Sequence, residues 1–403
     1  MKYIILFSLK LIVFLFVFNV IFGFCKKADS IPVIKKIAIE KDTLHSLKGT
    51  MYLPANCKPD KIIICLTSVF EDDRHPDFTA TRDTLSMMRQ YIQHFTDNST
   101  GVLLLTRDIK WNEHPIRSLR TIKTLADDTE KVLNYLKSTD EYQKIPLGVM
   151  GASEAGCAAA MVVSQHKEVA FSILLSTPGV TGYDEIDYDI RKRVRPFVIS
   201  VGFQNTMIDS VYIYDGNRYV YNNKNKVSQE IFYDNFYKGI AVIGRQIIPK
   251  YSNYDTIKAE AFKLFNKKWE GTKFKTYYND QKEGKIPIEK LIKDGILSGA
   301  MFNPRYIELV KWDPKLCFPK IKQPVLMLYG EKDINISLQP GVDSVKQIIK
   351  DYQLTNFSLK YYDGLDHSLL PFREKKEKRP AGETIPDYVF NDVVNWLNEL
   401  KIN

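Results

Sequence analysis

The chain has 403 residues, 44% of them hydrophobic and 26% charged, which is enough to bury a full core and unlike a disordered or low-complexity chain. Its net charge of +9 comes from lysines spread along the length, and such diffuse basicity does not mark a nucleic-acid binder. The five cysteines include no Cys-x-x-Cys pair and no His-Glu-x-x-His stretch occurs, so neither a metal nor another cofactor is expected.

Met1-Lys-Tyr is followed by apolar residues as far as Phe24, broken by Lys10 and Asn19. A basic start and an apolar run of this size predict a secretory signal peptide, or a membrane anchor, over residues 1–25. Either would associate with a membrane, and Cys25 stands where a lipoprotein cysteine would be acylated. The mature chain is therefore expected to be exported to the periplasm or cell envelope. Export permits disulfides, but Cys65 and Cys157 sit in apolar strand and helix contexts and read as buried thiols.

Ile34–Glu40 and Leu47–Leu53 alternate at period two and predict an antiparallel pair. Lys61–Thr67 is a continuous apolar run, as in a strand covered on both faces. Leu85, Met88, Tyr91, Ile92 and Phe95 recur at helical spacing. Gly101–Thr106 is a second buried strand. Ile122, Leu125, Ala126, Thr129, Val132, Leu133 and Leu136 then form one helical stripe, with Lys123, Asp127, Asp128, Glu130 and Lys131 expected to face water. Leu147–Met150 and Val169–Ser176 are further buried strands. Buried strands alternating with amphipathic helices predict an α/β fold with a mostly parallel sheet flanked by helices.

That alternation stops after Pro178-Gly179. Residues 183–318 are rich in Tyr, Asn, Lys and Phe and predict a large cap inserted into the core of residues 32–182 and 319–403. Helices are expected over Ala259–Lys268 and Pro287–Leu297, and a hairpin pairs Val211–Tyr214 with Arg218–Tyr221 around Asp215-Gly216. Alternation resumes with the strand Pro324–Gly330, a helix carrying Val342, Val345, Ile348 and Ile349, and a last strand, Phe357–Tyr362, turning Phe357, Leu359 and Tyr361 to one side. The closing helix carries Val389, Val393, Trp396, Leu397 and Leu400.

Within this frame, Leu147-Gly-Val-Met-Gly-Ala-Ser-Glu-Ala-Gly156 is a strand, a turn of tiny residues with a serine at its tip, and the start of a helix. That is the form of a nucleophile elbow. Gly151 and Ala155 flank Ser153 at two residues on either side, where a bulky side chain would clash. A serine attacks only when a base takes its proton and an acid orients the base. Asp333, after the strand ending in Gly330, and His367, after the last strand, supply these in the order Ser, acid, His. His75 and His114 on loops are rivals to His367, whereas His45, His94 and His166 carry no other signal. Asp363 and Asp366 are rivals to Asp333 but lie close to His367 in sequence.

These residues resemble the α/β-hydrolase superfamily, and within it a bacterial esterase-like group bearing Gly-His-Ser-Glu-Gly-Gly. The similarity extends to Leu47–Pro54, Asp73-Arg74, Phe171–Gly179, Trp312-Asp-Pro314, Gly330-Glu-Lys-Asp333 and Gly364-Leu-Asp-His367. It implies an α/β-hydrolase fold with Ser153 as nucleophile, Asp333 as acid and His367 as base. Ala152 replaces the group's histidine, and Thr67-Ser68-Val69-Phe70 replaces its glycine-rich oxyanion loop. The N–H of Glu154 is expected to bind the oxyanion, with Ser68 or Val69 supplying the second donor. The expected activity is cleavage of a small-molecule carboxylic ester through an acyl-enzyme. An amide, peptide or thioester hydrolase, or a degenerate hydrolase acting as an envelope binding protein, are the alternatives.

Overall fold

A computed structural model describes residues 31–41, 46–66, 87–107, 121–189, 220–222, 246–269, 277–280, 284–287, 304–374 and 383–402. The first 25 residues with Cys25, and Ser68, Val69, His45, His75 and His114, lie outside them. No helix among the described residues is long and apolar enough to cross a membrane.

The first strands, β1 (Val33–Lys41) and β2 (Ser46–Leu53), pair antiparallel as their alternation requires, with a bulge between Ala38 and Glu40. Next come β3 (Lys61–Leu66), α1 (Met87–Asp97), β4 (Thr100–Arg107), α2 (Ile122–Ser138), β5 (Leu147–Ala152), α3 (Glu154–Gln165) and β6 (Val169–Leu175). After the segment that leaves the sheet, β10 (Val325–Gly330) and β11 (Phe357–Tyr362) rejoin it. The eight strands run in the order β1-β2-β4-β3-β5-β6-β10-β11, and every pair from β4 to β11 is parallel. Parallel neighbours need crossovers, which the helices between these strands provide.

Two apolar layers sandwich the sheet because successive side chains of a strand point to opposite faces. In β3, Ile62, Ile64 and Leu66 enter one layer with residues of α2 and α3, while Ile63 and Cys65 enter the other. The second layer is closed by α1 and by the final helix (Asp387–Glu399), through Tyr91, Phe95, Val389, Phe390 and Val393. Continuous apolar runs in β3, β4, β5 and β10 follow from this double covering.

One residue of α2 departs from the sequence reading, and β11 keeps the expected alternation, with Phe357 and Leu359 packed on the layer that holds Tyr329, and Tyr362 on the other. Asp128, expected to face water, is buried, because it lies one helical turn from both Leu125 and Val132 on the border of the α2 stripe. In β11, Tyr362 is buried and Tyr361 exposed. This edge strand has only one neighbour, and Tyr361 lies stacked on Tyr329, with ring centroids 5.7 Å apart, at the sheet's margin. Helix α2 begins where Thr121 and Thr124 exchange side-chain to backbone hydrogen bonds of 3.0 and 2.8 Å, a reciprocal cap.

Between β6 and β10 the chain forms α4 (Gly182–Asp189), β7 (Val220–Asn222), α5 (Tyr254–Trp269), β8 (Tyr277–Asp280), β9 (Gly284–Pro287) and α6 (Pro304–Val310). The three strands make a separate antiparallel sheet. Val220 and Tyr221, expected in a hairpin, pair with Asn279 and Tyr278; their expected partners 211–214 lie outside the described residues. Pro287, expected to open a helix, closes β9, an edge strand of that sheet, where a proline is tolerated; residues 288–303 lie outside the description. The two ends of this segment meet: Gly182 N–H donates to Trp312 O at 2.9 Å, and the Trp312 indole N–H donates to Pro178 O at 3.1 Å.

Candidate active site

Ser153 sits where β5 ends and α3 begins, with φ 54° and ψ −123°. A non-glycine residue in that region is strained by roughly 1–3 kcal/mol and persists only where its surroundings force it. Here its N–H donates to Leu175 O at 2.8 Å, and its carbonyl accepts from Gly156 N–H at 3.0 Å and Cys157 N–H at 3.4 Å. The serine is thus held by the neighbouring strand on one side and by the first turn of α3 on the other.

Sterics explain the tiny residues. A Cβ on Gly151 would lie 2.2 Å from the Ala155 carbonyl oxygen, and one on Gly156 would lie 1.8 Å from Thr177 Oγ1. The Ala155 methyl is fully buried without such a conflict. The second position held to glycine by its neighbours is therefore 156, and 155 accommodates alanine.

The loops after β10 and β11 are joined edge to edge. Glu331 N–H donates to Tyr362 O at 3.0 Å and Lys332 N–H to Leu365 O at 2.8 Å. Gly330 permits this approach, since a Cβ there would lie 2.2 Å from Asp366 O. The result brings His367 Nδ1 to 2.7 Å from Asp333 Oδ2. The Asp333 side chain is 0% exposed, and its Oδ1 accepts from the N–H groups of Asn335 at 2.7 Å and Ile336 at 3.3 Å. A carboxylate that only accepts fixes the tautomer: Nδ1 carries the hydrogen and Nε2 is left with its lone pair.

The rival carboxylates and the described histidines have other partners. Asp366 Oδ1 accepts from Ser368 N–H at 2.9 Å and Leu370 N–H at 3.2 Å, shaping the turn that carries His367. Asp363 shares a hydrogen bond with the Glu331 carboxylate at the surface, which holds Asp363 above the usual carboxylate range. His94 stacks on Phe390 with centroids 3.9 Å apart, and His166 bonds Glu168 at 2.9 Å. Cys157 is fully buried behind the elbow, and burial pushes its thiol well up, so it is protonated and no rival nucleophile.

Two consecutive residues at the end of β6 relate the serine to the histidine. Leu175 O holds the Ser153 N–H, and Ser176 Oγ donates to His367 O at 2.8 Å. Among the described residues no hydrogen bond joins the Ser153 hydroxyl to the His367 ring, a link often long without substrate. Glu154, the first residue of α3, has an N–H with no intrahelical partner. Its side chain makes a bidentate pair with Arg305 of α6, at 2.7 and 2.8 Å, each side chain less than one-fifth exposed. No sequence signal pointed to Arg305, which is 151 positions away, nor to Ser176, whose role is set by where β6 stops. Among the described residues no cluster of His, Cys, Asp and Glu is arranged to ligate a metal.

No family model matches the chain, and no curated protein does. Solved structures are similar over most of its length. Est1E from Butyrivibrio proteoclasticus is 11% identical, with 92% of this chain and 98% of that one covered, at a TM-score of 0.45. A dienelactone hydrolase from Anabaena variabilis is 12% identical over 92% and 98%, at 0.42. An esterase from Pyrococcus furiosus is 12% identical over 92% of each, at 0.45. The fold is decided by the chain itself: an eight-stranded sheet, parallel from its third position onward, whose fifth strand ends in a strained serine before a helix, is the α/β-hydrolase fold.

Proposed function

We propose that this protein is an exported serine hydrolase that cleaves carboxylic esters through an acyl-enzyme, with Ser153 as nucleophile, His367 as base and Asp333 as the acid that orients it. The observation that carries this reading is the 2.7 Å hydrogen bond between His367 and the buried Asp333 carboxylate, together with a serine strained at a strand end that shares the β6 terminus with His367. Structural helices rarely begin on a residue of that conformation unless something gains from exposing its side chain.

In this reading His367 Nε2 takes the Ser153 hydroxyl proton as Oγ bonds to the ester carbonyl carbon. The carbonyl oxygen becomes an oxyanion facing the Glu154 N–H, with Ser68 or Val69 as the second donor. The tetrahedral intermediate expels the alcohol, which leaves with the proton from His367. Water, deprotonated by the same Nε2, then attacks the acyl-enzyme, and the acid departs as Ser153 recovers its proton. Asp333 stays ionised throughout and stabilises the imidazolium. Each oxyanion donor contributes about 3–4 kcal/mol to the barrier reduction.

A fluorophosphonate probe tests the nucleophile. It is expected to label the wild type and to leave Ser153→Ala unlabelled; a labelled Ser153→Ala sinks the assignment. Turnover of a short-chain aryl ester, falling on the order of 10⁴-fold in Asp333→Asn, separates an enzyme from a binding protein built on the same fold. Export rests on the Lys2 start and the apolar run to Phe24, and palmitate labelling lost in Cys25→Ser would establish an acyl anchor.

A further inference from the structure

Glu185 lies on α4, the first helix after the chain leaves the main sheet, and is 6% exposed. Both of its carboxylate oxygens lie 3.1 Å from the N–H of Ser337, itself buried. Ser337 is the residue before the helix Leu338–Asp351, whose exposed N–H dipoles favour a negative neighbour. Three successive N–H groups of the loop after β10 are therefore taken by two carboxylates. Asn335 and Ile336 donate to Asp333 Oδ1, and Ser337 donates to Glu185. The Tyr188 hydroxyl, one turn further along α4, donates to Ile334 O at 3.5 Å. The loop bearing Asp333 is thus held from within by its own acid and from outside by α4.

We propose that Glu185 is a positioning residue for Asp333: by anchoring Ser337 it keeps the 333–337 loop closed, so that Oδ1 stays occupied and Oδ2 is directed at His367 Nδ1. The inference rests on the serine-hydrolase reading for its effect on rate, but its structural half, the effect on the Asp333–His367 bond, does not. It also makes the root of the inserted segment part of the site, since α4 begins at Gly182, whose N–H is bonded to Trp312 where that segment returns. A buried N–H left without an acceptor is costly, so loss of the Glu185 carboxylate opens the loop or twists it toward water. Either movement displaces Asp333 before it displaces Ser153, which is held separately by Leu175.

Two variants separate positioning from bulk stability. Glu185→Ala removes the acceptor, whereas Glu185→Gln keeps an amide oxygen for the Ser337 N–H. The Ala variant is expected to lower kcat at least about tenfold with KM within about twofold, and the Gln variant to recover most of that loss. The downfield proton resonance of His367 Nδ1–H should weaken or vanish in Glu185→Ala and persist in Glu185→Gln. Thermal melts of both variants identify any that fail to fold, and the Gln variant then carries the comparison of resonance and rate with wild type. A folded Glu185→Ala that keeps the resonance and the wild-type kcat overturns the inference, as does a folded Gln variant no better than Ala. A wild type that shows the resonance yet is never labelled by a fluorophosphonate overturns the hydrolase reading instead, and the resonance still decides the role of Glu185.

Discussion

At Ser153 the backbone, before any chemistry, shows what the site requires. A left-handed serine is maintained because Gly151 lets the turn close to 2.2 Å of the Ala155 carbonyl and Gly156 lets α3 pass against Thr177. Gly151→Ala is therefore expected to destabilise the fold by about 1–3 kcal/mol, since backbone and not a flexible side chain is in the way; urea unfolding measures it. The same substitution should abolish probe labelling of Ser153 even at temperatures where the chain stays folded. His367→Ala is expected to reduce ester turnover as severely as Ser153→Ala, and the double variant to lose little more, because the groups act as one unit. Ser153, Asp333 and His367 were each legible in the sequence as residues at strand ends. The hydrogen bonds that orient them were not, because Asn335, Ile336, Ser176 and Gly330 act through backbone groups or close approach, to which residue type gives little clue.

The elements respond differently. Phe390 of the last helix is buried against Tyr91, with ring centroids 5.0 Å apart, and against His94. Phe390→Ala should cost about 3–5 kcal/mol of stability by emptying that layer, a loss visible as a lower denaturant midpoint at constant slope. His94 adds a pH dependence. Burial holds its pKa below the ordinary 6.5, more strongly than the nearby Asp387 and Asp97 raise it, so the unfolded chain takes up the proton first. The stability that depends on neutral His94 is complete above about pH 6.5 and is lost as pH falls through the lower folded value. His94→Phe should flatten that part of the stability profile, measured by thermal melts between pH 5 and 7. Helix and strand identities followed from periodicity in α1, α2 and β3 to β6. The misreadings fell at borders: Asp128 at the edge of a stripe and Pro287 at a strand end, where one neighbour more or less decides the outcome.

For the whole molecule, the segment between β6 and β10 reaches the main sheet through residues that carried no sequence signal. It carries 23 Lys or Arg against 17 Asp or Glu from Tyr183 to Lys315, an excess too small and scattered to name a substrate. Its two ends nevertheless place charged side chains on opposite parts of the candidate site, Glu185 on the loop bearing Asp333 and Arg305 on Glu154 beside Ser153. Breaking the second contact with Arg305→Leu removes the bidentate partner of the Glu154 carboxylate, and is expected to destabilise the chain by roughly 1–3 kcal/mol, measured by denaturant unfolding. What the sequence by itself determined is the alternation of buried strands and amphipathic helices, and three chemically apt residues in order, because burial periodicity and residue chemistry are local properties. Only the tertiary structure decided that Asp333, not Asp363 or Asp366, faces His367, and that Glu185 and Arg305 reach the site. Those pairings depend on which strand ends become neighbours in the sheet, and no local pattern records a contact between residues 34, 151 or 152 positions apart.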